Sequence, residues 1–383
     1  MKKIVLVFLI LFSFAATAQI DSLNKQDCSL RISLLTCAPG QELYSTFGHS
    51  AIRVTNTKTS SDLVYNYGTF EFDDPYFIQK FIHGNLEYFI SVDSFPLFIW
   101  EYQYYHRGVT EQLLNLSCDE KNKIEAALLE NIKEENKFYR YDFTFDNCTT
   151  RIRDLLKSNS SDSIQTKNIL PNETTSFRNL LHEYLDTSGR NWSKLGIDIL
   201  LGSDLDRTIS NNEAMFLPDY LLHAADSSNS FNGNLVLEKT TLLPITVFQN
   251  IKSFFTPFLI FSIFFLLIII LSLINSTQPI LKFFDLFFFF SCGALGFFLL
   301  YMGYFTTHSM FKNNFNLLWA LPTHLVVSFM IFSTSKWIKK YFRISFYINL
   351  LLMASWWFLP QEMNIALLPL VGISTVRSFF RSK

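Results

Sequence analysis

The sequence predicts an α+β domain outside the cytoplasm, followed by an all-α transmembrane bundle of about five helices. Three observations lead to this fold class. The chain begins like a signal peptide, the region up to about residue 243 alternates β-prone runs with helical segments, and long apolar runs follow from Phe254. The 42 phenylalanines of the 383-residue chain are concentrated in that last part. The predicted domains are 1–18, 19–243 and 244–383.

Residues 1–18 have the features of a secretory signal peptide. Lys2 and Lys3 precede an apolar run from Ile4 to Phe14 that is too short to span a bilayer. Ala16-Thr17-Ala18 supplies the small residues that a signal peptidase requires, which predicts a mature start at Gln19. An uncleaved anchor is the alternative.

Charge and cysteine content limit the function classes. A formal net charge of −1 gives no indication of nucleic-acid binding. Five cysteines are too few for a disulfide-rich scaffold, and pairing of Cys28 with Cys37 in an oxidising periplasm is left open. The histidines lack metal-ligand spacing, so we expect no metal site and no cofactor.

Short strands and helices are expected within 19–243. The β-prone runs 50–55 and 63–67 flank a polar turn, which predicts a hairpin. Ser117 and Glu120 form a capping box for a helix over 118–136. The remaining predicted segments are an extended run at 139–145 and helices at 149–157, 176–186 and 214–225.

The C-terminal domain contains five apolar runs of sufficient or nearly sufficient length to cross a bilayer. The predicted spans are 254–274, 286–305, 317–333, 344–359 and 365–375. With the α+β domain outside, Lys312 is the only basic residue in the short outer loops. The other basic residues then face the cytoplasm, as the positive-inside rule expects. These residues are Lys282, Lys336, Lys339, Lys340, Arg343, Arg377, Arg381 and Lys383.

Two short motifs in the first domain contain residues suited to nucleophilic catalysis. His49 lies at the start of a predicted strand, and Cys148 lies at the start of a predicted helix. Unpaired amides and the helix dipole lower the pKa of a thiol there, and a nearby imidazole acts as general base. From spacing alone, a structural thiol and a turn histidine are the more common interpretations.

Several motifs together resemble a known enzyme family. They are Gly48-His49-Ser50-Ala51, the segments 65–70 and 139–142, Asp146-Asn147-Cys148-Thr149-Thr150-Arg151, the segments 202–207 and 216–220, and His308 with the segment 314–322. A histidine strand that precedes a cysteine helix resembles a circularly permuted papain-like (NlpC/P60-type) fold. The ensemble is similar to the Lnb family of bacterial lipoprotein N-acyltransferases, which combine a periplasmic domain with a five-helix membrane domain.

The resemblance implies that a phospholipid donates an acyl chain to the α-amine of a diacylglyceryl-cysteine lipoprotein. It places the protein in the cytoplasmic membrane, with the C-terminus in the cytoplasm. Cys148 is then the expected nucleophile and His49 the base, with Asn66 or Tyr67 orienting the imidazole. The candidate substrate-binding residues are Arg107, Asn147, Arg151, His308, Asn314 and Asn316. Asn147 is an equally good helix cap, and the arginines are equally suited to surface ion pairs.

Two other functions are compatible with the sequence. A membrane-tethered papain-like peptidase or cell-wall amidase keeps the Cys–His chemistry but transfers the acyl group to water or a peptide amine. The five predicted spans argue against it, because a tether needs only one. A non-catalytic envelope assembly protein would use the cysteine structurally.

Overall fold

The computed structural model describes residues 28–71, 75–160, 164–230, 233–245 and 254–383. The predicted signal peptide lies outside these residues. The strands are β1 (Leu30–Cys37), β2 (His49–Asn56), β3 (Ser61–Thr69), β4 (Glu87–Ser94), β5 (Val109–Leu114), β6 (Phe138–Arg140), β7 (Gln165–Thr166), β8 (Ser228–Ser230), β9 (Gly233–Asn234) and β10 (Val236–Leu243). The helices before the membrane domain are α1 (Phe77–His83), α2 (Phe95–Tyr104), α3 (Cys118–Asn131), α4 (Cys148–Asn159), α5 (Phe177–Thr187), α6 (Asn191–Leu200), α7 (Asn211–Ala214) and α8 (Pro218–Ser227).

A seven-stranded antiparallel sheet organises the first domain. Its strand order is β10-β5-β1-β2-β3-β4-β6, and the predicted hairpin is confirmed as the β2–β3 pair. Successive side chains of β2 point to opposite faces. Ile52 therefore packs with α3 and α4 on one face, while Ala51 packs with α2 on the other.

Local capping signals explain where the helices begin. The Ser117–Glu120 capping box at α3 is confirmed, and Ile124 and Leu128 of that helix are buried. The predicted helix over 214–225 is interrupted, because α8 starts afresh with Pro218 in its first turn. Helices α1 and α2 lie outside the helical segments predicted from the sequence.

One disulfide differs from the pairing left open by the sequence. Cys28 bonds to Cys118, 90 residues away, and links the start of β1 to the first residue of α3. Cys37 is a buried free thiol at the other end of β1. A strand of eight residues extends about 25 Å, so Cys37 is too far from Cys28 for a disulfide.

The membrane domain contains four long helices and one irregular segment. In chain order, the α-helices of this domain are α9 (Pro257–Leu273), α10 (Gln278–Tyr304), α11 (His324–Val327), α12 (Lys336–Ser355) and α13 (Leu368–Ser382). Among the described residues, Asn275–Tyr304 and Ile365–Ser382 are long and apolar enough to cross a membrane, and Pro257–Leu273 is a shorter apolar helix. The third predicted span consists of short α and 3-10 turns around α11. The number of spans therefore stays a prediction.

Two glycines explain why this irregular segment packs tightly against α10. A Cβ at Gly293 would lie 2.0 Å from the backbone N of Leu325, and one at Gly296 would lie 1.8 Å from the carbonyl oxygen of Ala320. Neither contact is sterically possible for a larger residue. The missing side chains let the backbones meet directly.

A buried ion pair connects α10 and α13. Both oxygens of Asp285 accept from Arg377, at 2.7 and 2.9 Å, and Arg381 also bonds to Asp285. Arg377 donates a further bond to Ser272 at 2.8 Å. The predicted span 286–305 begins just after Asp285, and an isolated charge in a membrane is costly. Pairing with Arg377 allows the helix to include the carboxylate.

We predict that Asp285→Ala strongly destabilises the membrane domain. The substitution leaves buried Arg377 without its counter-charge, which costs about 3–5 kcal/mol. Thermal unfolding of the purified protein in detergent measures the loss. Lys282→Ala, at an exposed position one turn away on the same helix, is the control. An unchanged melting temperature for Asp285→Ala would contradict the stabilising role of the pair.

Candidate active site

Cys148 is the first residue of α4, and Asn147 holds it there as the helix cap. The Asn147 Oδ1 atom accepts from the amides of Thr149 and Thr150, both at 2.9 Å. Its Nδ2 atom donates to the carbonyl oxygens of Phe143 and Phe216. The capping role left open for Asn147 is therefore confirmed. A substrate-binding role is not supported, because both ends of the buried amide are already bonded.

The surroundings of Cys148 favour its thiolate form. Burial raises the pKa of the thiol, but the charge and hydrogen bond of His49 lower it more, with further bonds from the Ser50 amide and the Thr149 side chain. The result is a pKa of about 7, below the ordinary 9.0. His49 begins β2, which packs against α4, so the sheet brings together two residues 99 positions apart in the sequence.

A chain of polar contacts orients His49. Its Nε2 atom lies 3.3 Å from Asn66 Oδ1 on the neighbouring strand β3, and Asn66 Nδ2 donates to Asp93 Oδ2 on β4 at 3.1 Å. An ionised carboxylate only accepts, so Asp93 selects the amide orientation that turns Oδ1 toward His49. Nε2 must then carry the proton, which leaves Nδ1 as the basic nitrogen for the thiol. The geometry thus brings Asn66, rather than Tyr67, to the imidazole.

Tyr67 lies on the opposite face of β3 from Asn66. Its side chain is buried in the core under α3 and α4, and its hydroxyl accepts a bond from Asn131 at 2.6 Å. The alternative in which Tyr67 orients the imidazole is therefore wrong, because consecutive strand residues point in opposite directions.

The candidate arginines are engaged within the protein. Arg151 makes a bidentate pair with Asp146, at 2.6 and 2.9 Å, and its guanidinium lies 3.5 Å from the ring centre of Tyr139. Arg107 donates to the carbonyl of Ala38 and stacks on Tyr102. For Arg151 the ion-pair alternative is confirmed. Within the described part of the chain Arg107 pairs with no carboxylate, and its buried Nη2 atom makes no hydrogen bond, so its expected role in substrate binding stays a prediction.

Asn314 and Asn316 join the two domains instead of facing a head group. Both are buried, and their amides donate to backbone carbonyls at the end of α6, at distances between 2.8 and 3.2 Å. Their amide donors are used within the protein, so the structure shows them as links between the domains, and the expected head-group role stays a prediction. His308 lies in the same loop, and its ring packs against that of Phe311 in a tilted arrangement with the ring centres 4.7 Å apart.

The same loop reaches the turn that carries the nucleophile. Ser309 Oγ donates to Asp142 Oδ2 at 2.7 Å. The backbones of Asp142 and Asp146 exchange two hydrogen bonds, and Asp146 is two residues before Cys148. Thr307 bonds to the carbonyls of His83 and Gly84. The outer loop of the membrane domain is thus in contact with the edge of the candidate active site.

A cavity of about 580 Å³ lies between α5, α6 and the membrane domain, but Cys148 and His49 do not line it. It contains His182 and Asp198, which belong to a buried network with Arg178 and Asp206. Among the described residues, no group of three His, Cys, Asp or Glu side chains is arranged to hold a metal.

Sequence reasoning missed Asp93 and Tyr139. Asp93 has no local signal, because only strand pairing brings β4 beside β3. Tyr139 belongs to the segment 139–142, which contributed to the family resemblance. The sequence therefore singled out this segment but assigned no role to Tyr139. Its side chain is buried beside Gly68 and Cys148.

The pH dependence of Cys148 alkylation tests this geometry. We predict a rate with iodoacetamide that rises with pH and levels off above a midpoint near 7, because the thiolate forms as pH passes the lowered pKa. His49→Ala moves the midpoint upward, because burial raises the pKa of Cys148 and the histidine that lowers it is gone. Asp93→Asn raises the midpoint by less than His49→Ala does. The amide introduced at position 93 can donate as well as accept, so it no longer selects one orientation of the Asn66 side chain. Mass spectrometry of tryptic peptides measures each rate.

Cys37 is an internal control in the same experiment. Burial raises the pKa of its thiol to about 12, so it stays unmodified in the folded protein. Equal midpoints for wild type and His49→Ala would contradict the pairing of Cys148 with His49.

Comparison with protein families supports the resemblance inferred from the motifs. The model of the Lnb N-terminal periplasmic domain matches residues 19–183, and that of the Lnb transmembrane domain matches residues 249–382. Comparisons with curated proteins and with solved structures found no match. Membership of this family indicates an enzyme of lipoprotein maturation. The two matches cover more than three quarters of the chain, which therefore belongs to the Lnb family as an inner-membrane protein with a periplasmic N-terminal domain and a C-terminal transmembrane domain.

Proposed function

We propose that this protein is a lipoprotein N-acyltransferase that works through a Cys148 thioester. The thiolate attacks an ester carbonyl of a membrane phospholipid, and lysophospholipid leaves with a proton from His49. The α-amine of a diacylglyceryl-cysteine lipoprotein then attacks the thioester, with His49 taking the amine proton. The acyl chain moves from oxygen to sulfur and then to nitrogen. We also propose a permuted papain-like fold, since the histidine strand β2 precedes the cysteine helix α4.

The observation that carries this proposal is the contact between the nucleophile's turn and the membrane domain. Ser309 bonds to Asp142, and Asp142 pairs with Asp146 next to the capped start of α4. Both proposed substrates keep their acyl chains in the bilayer while their reactive groups lie at its surface. A nucleophile beside a membrane loop suits such substrates.

The same contact argues against a tethered peptidase. A peptidase that acts on the cell wall needs its cysteine accessible away from the bilayer, and its anchor has no reason to touch the catalytic turn. Arg140 and Asn313 add further bonds between the two domains, to Thr307 and Asp204 respectively. These contacts hold the periplasmic domain close to the outer loop.

Mass spectrometry of a lipoprotein N-terminus tests the proposed activity. In bacterial cells that depend on this protein, we expect triacylated lipoprotein with the wild type and only diacylated lipoprotein with Cys148→Ser or His49→Ala. Loss of either group removes the nucleophile or its base, which lowers the rate by at least about a hundredfold. Cys292→Ala, at a buried thiol of the membrane domain, is the control and retains N-acylation.

Normal N-acylation with Cys148→Ser would refute the thioester mechanism. Normal N-acylation in cells that lack the protein altogether would refute the function. Release of peptide fragments from cell wall by the wild type, without acyl transfer, would favour the peptidase.

A further inference from the structure

Tyr139 has a hydroxyl group whose burial is unexplained by the fold. The side chain is 8% exposed, and its Oη atom makes no hydrogen bond within the described part of the chain. The backbone N–H of Gly68 approaches the phenolic oxygen and can only donate to it, so the phenolic proton itself has no acceptor among the described residues. A buried hydroxyl without a partner destabilises a folded protein, so a phenylalanine would suit the fold at least as well.

The hydroxyl faces a small gap beside the nucleophile. Gly68 has a φ of +87°, and a Cβ added to it would lie 3.4 Å from Cys148 Cβ and 3.9 Å from Tyr139 Oη. The same added atom would lie 4.0 Å from the backbone N of Cys148. The missing side chain of Gly68 therefore leaves a space bordered by the nucleophilic residue, one backbone N–H group and one phenolic O–H group.

Both groups are suited to donate a hydrogen bond into this space. The Asn147 side chain accepts from the amides of Thr149 and Thr150 and does not bond to that of Cys148. Burial, and next the nearby Cys148 charge, raise the pKa of Tyr139, so the phenol keeps its proton at neutral pH. The Arg151 guanidinium 3.5 Å from the ring centre draws electron density from the ring, and Asp146 holds that guanidinium in position.

We propose that Tyr139 is a catalytic residue whose hydroxyl, together with the Cys148 amide, donates hydrogen bonds to the oxyanion formed when the thiolate attacks an acyl carbonyl. This inference rests on the proposed thioester mechanism and adds a residue to it. As the C–S bond forms, the carbonyl electron pair moves onto oxygen, which accepts both bonds. When the carbonyl re-forms, the alkoxide leaves with a proton from His49. The phenol keeps its proton throughout, and the same two donors serve the second attack by the amine.

Two reactions of Cys148 separate this role from a structural one. Acylation by p-nitrophenyl butyrate passes through an oxyanion and releases p-nitrophenolate, which is followed by absorbance. Alkylation by iodoacetamide displaces iodide and forms no oxyanion. We therefore compare both rates for the full-length protein in detergent and for Tyr139→Phe. Tyr67→Phe is the matched control, because it removes a neighbouring buried hydroxyl whose only described partner is Asn131.

We expect Tyr139→Phe to slow acylation by about a hundredfold, the usual effect of losing one oxyanion donor. Its alkylation rate and pH midpoint stay within about twofold of wild type, because the thiolate and His49 are untouched. Its melting temperature is unchanged or higher, since an unpaired buried hydroxyl has been removed. Tyr67→Phe retains both rates.

Three results would overturn the inference. They are an unchanged acylation rate in Tyr139→Phe, equal slowing of acylation and alkylation, and a loss of melting temperature that accounts for the slower acylation. These results differ from failure of the proposed function, in which wild-type Cys148 would be alkylated normally but would not be acylated at all.

Discussion

The contact between the start of α4 and the strands β2 and β3 is the constraint on which the site depends. Asn147 caps the helix at Cys148, and the Cys148 thiol contacts residues of the sheet. Ser50 and His49 meet it there, and Gly68 allows the close approach. Burial alone would keep the thiol protonated. The polar partners that the sheet supplies outweigh that effect and lower the pKa of the thiol, which favours the thiolate.

The position of this contact beside the membrane domain gives it a function. The loop after α10 bonds to α1, to the turn before α4 and to the end of α6, so it contacts three separate parts of the periplasmic domain. Buried amides such as Asn316 make these connections, and each leaves no donor free for a substrate. The loop therefore holds the candidate site beside the membrane domain. In the reaction proposed above, lipid substrates reach the thiol without leaving the membrane.

Local patterns predicted the parts of the molecule that local chemistry determines. The β2–β3 hairpin, the capped start of α3 and the Cys148 helix all follow from neighbouring residues, and the Cys–His pair follows from the type of residue at each element's start. Contacts between distant strands could not be predicted in the same way. Asp93 bonds to Asn66, the partner of His49, only because β4 pairs with β3, and Cys28 meets Cys118 only because α3 packs on the sheet. The irregular third membrane segment depends likewise on glycines of another helix.

The most direct test of the account is the intact mass of the purified protein after incubation with phospholipid vesicles in the absence of an acceptor. We predict a mass increase of one acyl chain on Cys148 that hydroxylamine removes, as a thioester requires, and that a lipoprotein bearing a free α-amine also discharges. Cys148→Ala shows no such increase. An acyl chain on another residue, or acyl transfer to the lipoprotein by Cys148→Ala, would contradict the account.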